Sequence, residues 1–230
     1  MQASLAFSSA LKELLQSVHH IRQVQKGTYL FDEGSIADEL YVVQSGKIQI
    51  SKVIPDGREL TMRMCSQGEL IGEINLFSPV FTHFLNARVV EAGSVAVIKK
   101  DKLEEMLAIN NVLALEMIKW LSNQYRRTQT KFRDLVLHGK KGALISTLIR
   151  LSNSYGVQSP SGIQIGIALT NQELANFCGT SREVVNRLLS DLRRNKILQI
   201  DKGIITILDL QYLKDEIECE NCPVSICNIE

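Results

Sequence analysis

Residues 170–196, TNQELANFCGTSREVVNRLLSDLRRNK, read as two short helices joined by a glycine turn. Counted from Asn171, the apolar positions Leu174, Cys178, Val185 and Leu188 recur at the spacing by which two crossed helices bury a shared seam, and Ala175 lets them cross closely. Gly179 falls where the chain must turn with positive φ, and Ser181 where a hydroxyl can cap a second helix. With its apolar side inward, that second helix leaves Arg182, Glu183, Asn186 and Arg187 together on the outside, beside Ser181 at its N-terminal end. Arginine can donate two hydrogen bonds to guanine O6 and N7, and glutamate can accept from cytosine N4, so these residue types suit a helix entering the major groove of double-stranded DNA. The alternative is an ordinary helical hairpin with a solvated charged face.

Charge distribution favours the first reading. The formal net charge of +1 hides a segregation, because residues 119–202 carry 14 Lys and Arg against 5 Asp and Glu, whereas residues 209–230 carry six acids and one lysine. A basic middle is what a phosphate-binding surface needs. A chain of 230 residues that is 45% hydrophobic can bury one large core or two modest ones. No apolar run reaches the length of a membrane span, and MQASLAFSSALKELL lacks the basic-then-apolar order of a secretion signal, so a cytoplasmic protein with no membrane partner is expected.

Upstream, residues 5–20 read as a short helix. Residues 21–99 change texture to short Val, Ile, Leu, Tyr and Phe runs punctuated by seven glycines, the pattern of a small all-β domain with the strand lengths of a double-sheet jelly roll. YVVQSGKIQIS and the PDG at 55–57 mark reversals. Residues 101–138 contain neither glycine nor a proline, Asp101 is placed to cap, and Ile118, Leu121, Tyr125, Thr128, Phe132 and Leu135 alternate spacings of three and four, the seam of a two-stranded coiled coil. Gly139 breaks that pattern. A helix over 142–154, apolar at Leu144, Thr147, Leu148 and Leu151, should pack under the helical pair; 156–162 reads as a loop, GIQIGIAL as a strand, and ILQIDKGIITIL as a hairpin around Lys202 and Gly203. The sum is an α+β chain: a β roll over 1–110, a long helix over 111–138, a winged helix-turn-helix over 139–208, and a terminal helix from Leu210 to Glu218 within a cysteine-bearing tail at 209–230.

That tail, ECENCPVSICNIE, spaces Cys219, Cys222 and Cys227 as C-x2-C-x4-C. Two thiolates separated by two residues can approach one metal centre, and three soft ligands close together suit zinc or an iron-sulfur cluster with a fourth position left to another group. Cys65 lies in a strand pattern and Cys178 in the helical seam, where a free cysteine behaves as a small apolar residue.

KGTYLFDEGSIADELYVVQSGKIQI and GELIGEINLF resemble the cyclic-nucleotide-binding fold of the CRP/FNR family of bacterial regulators, and the likeness extends over essentially the whole chain. Members that bind cyclic AMP follow the loop bearing Gly72-Glu73 with an arginine and a serine or threonine for the phosphate. Here SPVFTHFLNARV offers His83 and Phe84, which argues against a nucleotide effector and leaves the roll a scaffold, with His83 read as a surface loop residue. RDLVLHGKKGAL, STLIRLSNSYG and ECENCPVSICN resemble one subgroup, the FNR oxygen sensors of Gram-positive bacteria with C-terminal cysteines. That resemblance implies a [4Fe-4S] cluster held by Cys219, Cys222, Cys227 and an aspartate of the long helix, here Asp134. It also implies a homodimer along that helix and activation of anaerobic and nitrate respiration genes through RNA polymerase. Read from the residues alone, Asp134 is an exposed helix acid among basic neighbours, and His138 is a rival ligand. A regulator with structural zinc, a small-molecule sensor using the roll and an iron-sulfur enzyme are the alternatives; the last lacks any clustered carboxylate pair, Ser/His/Asp set or phosphate-cradling loop.

Overall fold

The computed structural model describes residues 20–73, 75–78 and 81–229. The helix read over 5–20 lies, His20 apart, outside them. The described residues fall into two compact units that divide after Ser122, inside one long helix.

The first unit is a β roll. Its strands are β1 (Ile21–Val24), β2 (Tyr29–Phe31), β3 (Glu39–Val53), β4 (Glu59–Cys65), β5 (Leu70–Ile71) and β6 (Asn86–Lys99). β3 and β6 pair antiparallel from Glu39 opposite Lys99 to Ser51 opposite Asn86, and their register slips between Val43 and Ile48. A Cβ on Gly46 would stand 2.5 Å from the Glu91 carbonyl oxygen, and one on Gly93 would stand 2.1 Å from that of Ser45. Only glycine permits that backbone approach, so both strands pass through the irregularity without breaking. YVVQSGKIQIS therefore does not reverse, as its sequence suggested, but runs on as one strand. The PDG turn does reverse: Gly57 N–H donates to the Ile54 carbonyl at 2.9 Å, and Val53 stands opposite Glu59.

Alternation along the strands separates two cores. Tyr41, Val43, Ile48 and Ile50 join Cys65, Ile71, Val89 and Val95 in one. Leu40, Val42, Leu70, Ala96 and Ile98 form the other with Leu103 and Leu107 of α1 (Lys100–Ile109) and with Leu113 and Met117 at the start of α2 (Asn111–Leu137). Each fully buried aliphatic side chain contributes roughly 1.5–3 kcal/mol. Asp101 does not cap α1, because Lys99 holds that position; it lies in the first turn, where its charge favours the helix dipole. Along α2, Ile118, Tyr125 and Phe132 are 61%, 65% and 66% exposed, and Leu121, Thr128 and Leu135 are exposed with them.

The second unit begins within α2, which ends before Gly139 in the left-handed region at φ 57°. α3 (Gly139–Tyr155) is buried almost continuously from Gly142 to Ser152, and α4 (Asn171–Cys178) and α5 (Arg182–Arg194) pack on it. The four-stranded sheet has the order β7 (Gly156–Ser159), β8 (Gly162–Ile165), β10 (Ile204–Ile207), β9 (Leu198–Asp201). The stretch read as a loop over 156–162 thus contains a strand, with Gly156 opposite Ile165. α6 (Leu210–Glu216) follows, two residues shorter than its sequence suggested. The chain is mixed α and β, a β roll followed by helices and a winged helix-turn-helix.

One ion-pair cluster on the roll sets an acid-stability prediction. Glu39 Oε2 accepts from Arg22 Nη2 and the Tyr41 hydroxyl, each at 2.8 Å, and Oε1 lies 2.7 Å from Lys99 Nζ. Burial alone would raise the carboxyl, but hydrogen bonds from Lys99, Tyr41 and Arg22 outweigh it and hold the pKa at about 2. A depressed folded-state pKa contributes stability above the ordinary glutamate range, and that contribution is lost as pH falls toward the folded value. Glu39→Gln should cost roughly 1–2 kcal/mol at neutral pH after solvent screening. In denaturant titrations the gap from wild type should close between about pH 4.5 and 2; a gap independent of pH would refute this.

Candidate functional site

The helix-turn-helix is specified by its ends. Thr170 and Glu173 form a reciprocal capping box at the start of α4, which closes on Gly179 at φ 59° with its N–H bonded to the Ala175 carbonyl. Ser181 Oγ then accepts from Val184 N–H at 3.4 Å and opens α5. Leu174, Ala175, Phe177 and Cys178 of α4 meet Val185, Leu189 and Leu192 of α5 in the interior. Leu188, expected in that seam, is only half-buried; Leu189 takes its place, one step round the helix. Ser181, Arg182, Glu183, Asn186 and Arg187 are all exposed in the first half of α5, and Asn186 Oδ1 accepts from Asn171 Nδ2 at 3.1 Å. The structure therefore leaves all five open, Ser181 as the cap and the other four within the first two turns of α5.

The tail follows α6. Cys219, Cys222 and Cys227 are half-buried free thiols. Left-handed backbone at Glu218 and Asn221 folds the segment back, and the Pro223 carbonyl accepts from Ile226 N–H and Cys227 N–H, both at 2.8 Å. Side chains of α2 and α3 hold this fold by its carbonyls. Arg127 Nε donates to Ser225 O at 2.9 Å, Arg150 Nη1 to Ile226 O at 3.3 Å and Asn153 Nδ2 to Cys227 O at 2.6 Å. Ile226 and Ile229 are buried.

Asp134 is not the solvated helix acid that its sequence context suggests; it is 4% exposed. Its Oδ2 accepts from Ser146 Oγ at 2.6 Å and from Arg150 Nη2 at 3.1 Å, while Oδ1 accepts from Arg133 Nε and Nη2 at 3.0 and 2.7 Å. Burial would raise this carboxyl, but the hydrogen bonds from Ser146, Arg133 and Arg150 hold it below its ordinary value. Arg133 Nη1 also pairs with Glu220, which stands between Cys219 and Cys222. His138 is half-buried at the residue preceding α3.

The Cys227 thiol is pushed up by burial, pulled down by Arg150, and pushed up again by Cys219, Cys222 and Asp134. Among the described residues no three His, Cys, Asp or Glu side chains stand together as a group that could hold a metal ion. In kind the donors, three soft thiolates and one carboxylate, suit an iron-sulfur cluster or zinc, while both Asp134 oxygens are held by Ser146, Arg150 and Arg133.

Sequence reading missed the arginines and Ser146. One signal was present, since Arg150 interrupts the apolar run LISTLIRLS, and a charge on an otherwise buried helix needs a partner.

In the roll, His83 is buried, not at the surface. Its ring stacks on Phe31 at 3.6 Å between centroids, and Nδ1 lies 3.4 Å from Glu73 Oε2. Burial pushes its pKa down against the pull of Glu73. Phe84 turns its ring outward while its N–H donates to Glu73. The position thus presents a stacked imidazole and an exposed phenyl ring, neither of which supplies the charged fork that grips a phosphate.

No helix among the described residues is long and apolar enough to cross a membrane. Residues 21–110 match the cyclic nucleotide-binding domain, and residues 142–216 match the Crp-like helix-turn-helix domain. The chain is 53% identical over 224 residues to the anaerobic regulatory protein of Bacillus subtilis (strain 168), covering 97% of this chain and 94% of that one. Among solved structures it is similar to the c-di-GMP responsive global regulator CLP of Xanthomonas campestris, with a TM-score of 0.74 and 27% identity over 86% of this chain and 97% of that one. A CooA variant from Carboxydothermus hydrogenoformans shares the fold, with a TM-score of 0.78 at 19% identity over 94% of this chain and 98% of that one. Two matched domains in this order, and a relative this similar over nearly its full length, place the chain in the CRP/FNR family of transcription regulators.

Proposed function

We propose that this chain is a cytoplasmic, oxygen-responsive regulator that activates genes of anaerobic and nitrate respiration, binds palindromic DNA as a homodimer and contacts RNA polymerase. The observation that carries the reading is the tail bearing Cys219, Cys222 and Cys227, tied by its carbonyls to Arg127 of α2 and to Arg150 and Asn153 of α3, and linked through Glu220 and Arg133 to the buried Asp134 of α2. The name of the Bacillus subtilis relative supports the anaerobic role. Cys219, Cys222, Cys227 and Asp134 would hold a [4Fe-4S] cluster, which supplies an oxygen-labile cross-link when bound.

The protein's own residues do the rest. Arg127, Arg150 and Asn153 grip carbonyls of the tail, so the position of the cysteines is transmitted to α3, on which the helix-turn-helix packs. The exposed stripe of Ile118, Leu121, Tyr125, Phe132 and Leu135 is the surface by which two copies of α2 would pair, making 111–138 the dimerisation helix. Pairing there would set two copies of α5 one DNA turn apart, ~34 Å, to meet two half-sites. Ser181, Arg182, Glu183, Asn186 and Arg187 would then face phosphates and base edges.

Protein prepared without air should be brown, carry iron and inorganic sulfide, and bleach on exposure to oxygen. Cys222→Ala should abolish the colour. Zinc without sulfide in the wild-type protein would replace the cluster with a structural zinc tail, and a response surviving the loss of all three tail cysteines would move the sensor to the roll. Arg187→Ala should relax specificity at one base pair in each half-site, costing ~1–3 kcal/mol there. Binding to a panel of singly mutated operators reads this directly, and a profile identical to wild type would remove Arg187 from the base contacts.

A further inference from the structure

Asp134 has two oxygens held in different ways. Oδ2 is anchored from within, by Ser146 Oγ and by the Arg150 guanidinium, whose side chain is 4% exposed. Oδ1 is covered from outside by Arg133, whose side chain is 26% exposed and belongs to the same helix. The remaining guanidinium nitrogen of Arg133, Nη1, reaches Glu220, between Cys219 and Cys222. One cation therefore spans the carboxylate and the cysteine-bearing segment at once.

We propose that Arg133 is a clasp. In the metal-free protein its guanidinium takes the place of a bound cation, joining Asp134 Oδ1 to the Cys219–Cys222 segment, and a metal centre gains Asp134 only by displacing it. The inference rests on the proposed reading of the tail as a metal site and adds the residue against which that site must compete. With its burial and two retained donors, Oδ2 keeps the carboxylate oriented after Arg133 leaves, so Oδ1 is presented as a single oxygen donor. Arg133, being partly exposed and still paired with Glu220, loses little by turning toward solvent. Arg150 does not have this freedom, because it also holds Ser146, Thr130 and the Ile226 carbonyl.

Two measurements test the clasp, one without metal. In the metal-free protein, amide hydrogen exchange over residues 218–222 should quicken at least fivefold in Arg133→Met, while amides at 226–229, held through Arg150, Asn153 and Ser154, keep their wild-type rates. Unchanged exchange at 218–222 overturns the clasp. In anaerobic reconstitution with ferrous iron and sulfide, followed by visible absorbance, Arg133→Met should assemble the cluster several-fold faster than wild type and Arg133→Lys at a rate between them. Glu220→Gln, which frees the tail but leaves Asp134 covered, should quicken exchange without speeding assembly. Equal assembly rates in wild type and Arg133→Met sink the exchange while leaving the metal site standing. Uptake by neither protein sinks the metal site and the exchange with it. Uptake by Arg133→Met alone supports both.

Discussion

A carboxylate withdrawn from water must be answered by nearby donors, and Asp134 is answered from three directions. Ser146 and Arg150 reach it from α3, and Arg133 reaches it from its own helix and from the tail side. Removing one partner of such a pair leaves an uncompensated buried charge, at a cost of ~3–5 kcal/mol. The end of α2, the body of α3 and the tail are thus obliged to meet at one point. α4 and α5 pack on α3, so this point is joined through α3 to the helix-turn-helix. A metal centre there would act on DNA binding through contacts already in place, provided that it binds the two arrangements with different affinity.

The roll obeys a different constraint. Its two long strands stay paired through a sharp irregularity only because glycines face each other's neighbours there, and this lets one sheet serve two separate cores. Family members that sense cyclic nucleotides need a phosphate-binding arginine in this domain. Here a buried, stacked imidazole and an outward phenyl ring occupy those positions.

Local chemistry was legible in the sequence wherever a short-range rule governs it. The left-handed Gly179, the cap at Ser181 and the PDG reversal all rest on a few adjacent residues, and each stands as read; the capping box of Thr170 and Glu173 obeys the same kind of rule but went unread. The seam of the helix pair was displaced by one residue, Leu189 for Leu188, because both are apolar and only the crossing angle decides between them. The uninterrupted β3 was hidden because a glycine reads as a turn whether the strand reverses or merely bends. Asp134 and His83 were misplaced for a deeper reason. Polar residues look solvent-facing until their partners are known, and those partners, Arg150 and Phe31, lie sixteen and fifty-two positions away. The tail cysteines were visible by spacing, but the arginines that organise the tail were not.

The central claim is that the state of the cysteine tail sets the affinity of α5 for DNA. It is tested most directly by measuring operator binding at one fixed salt concentration, since phosphate contacts make affinity steeply salt-dependent. The same preparation is assayed without air and again after oxygen has bleached it. The account predicts a loss of at least tenfold, ~1.4 kcal/mol, abolished by a Cys219→Ala/Cys222→Ala/Cys227→Ala variant that binds weakly in both states. Equal, tight binding before and after oxygen would contradict it.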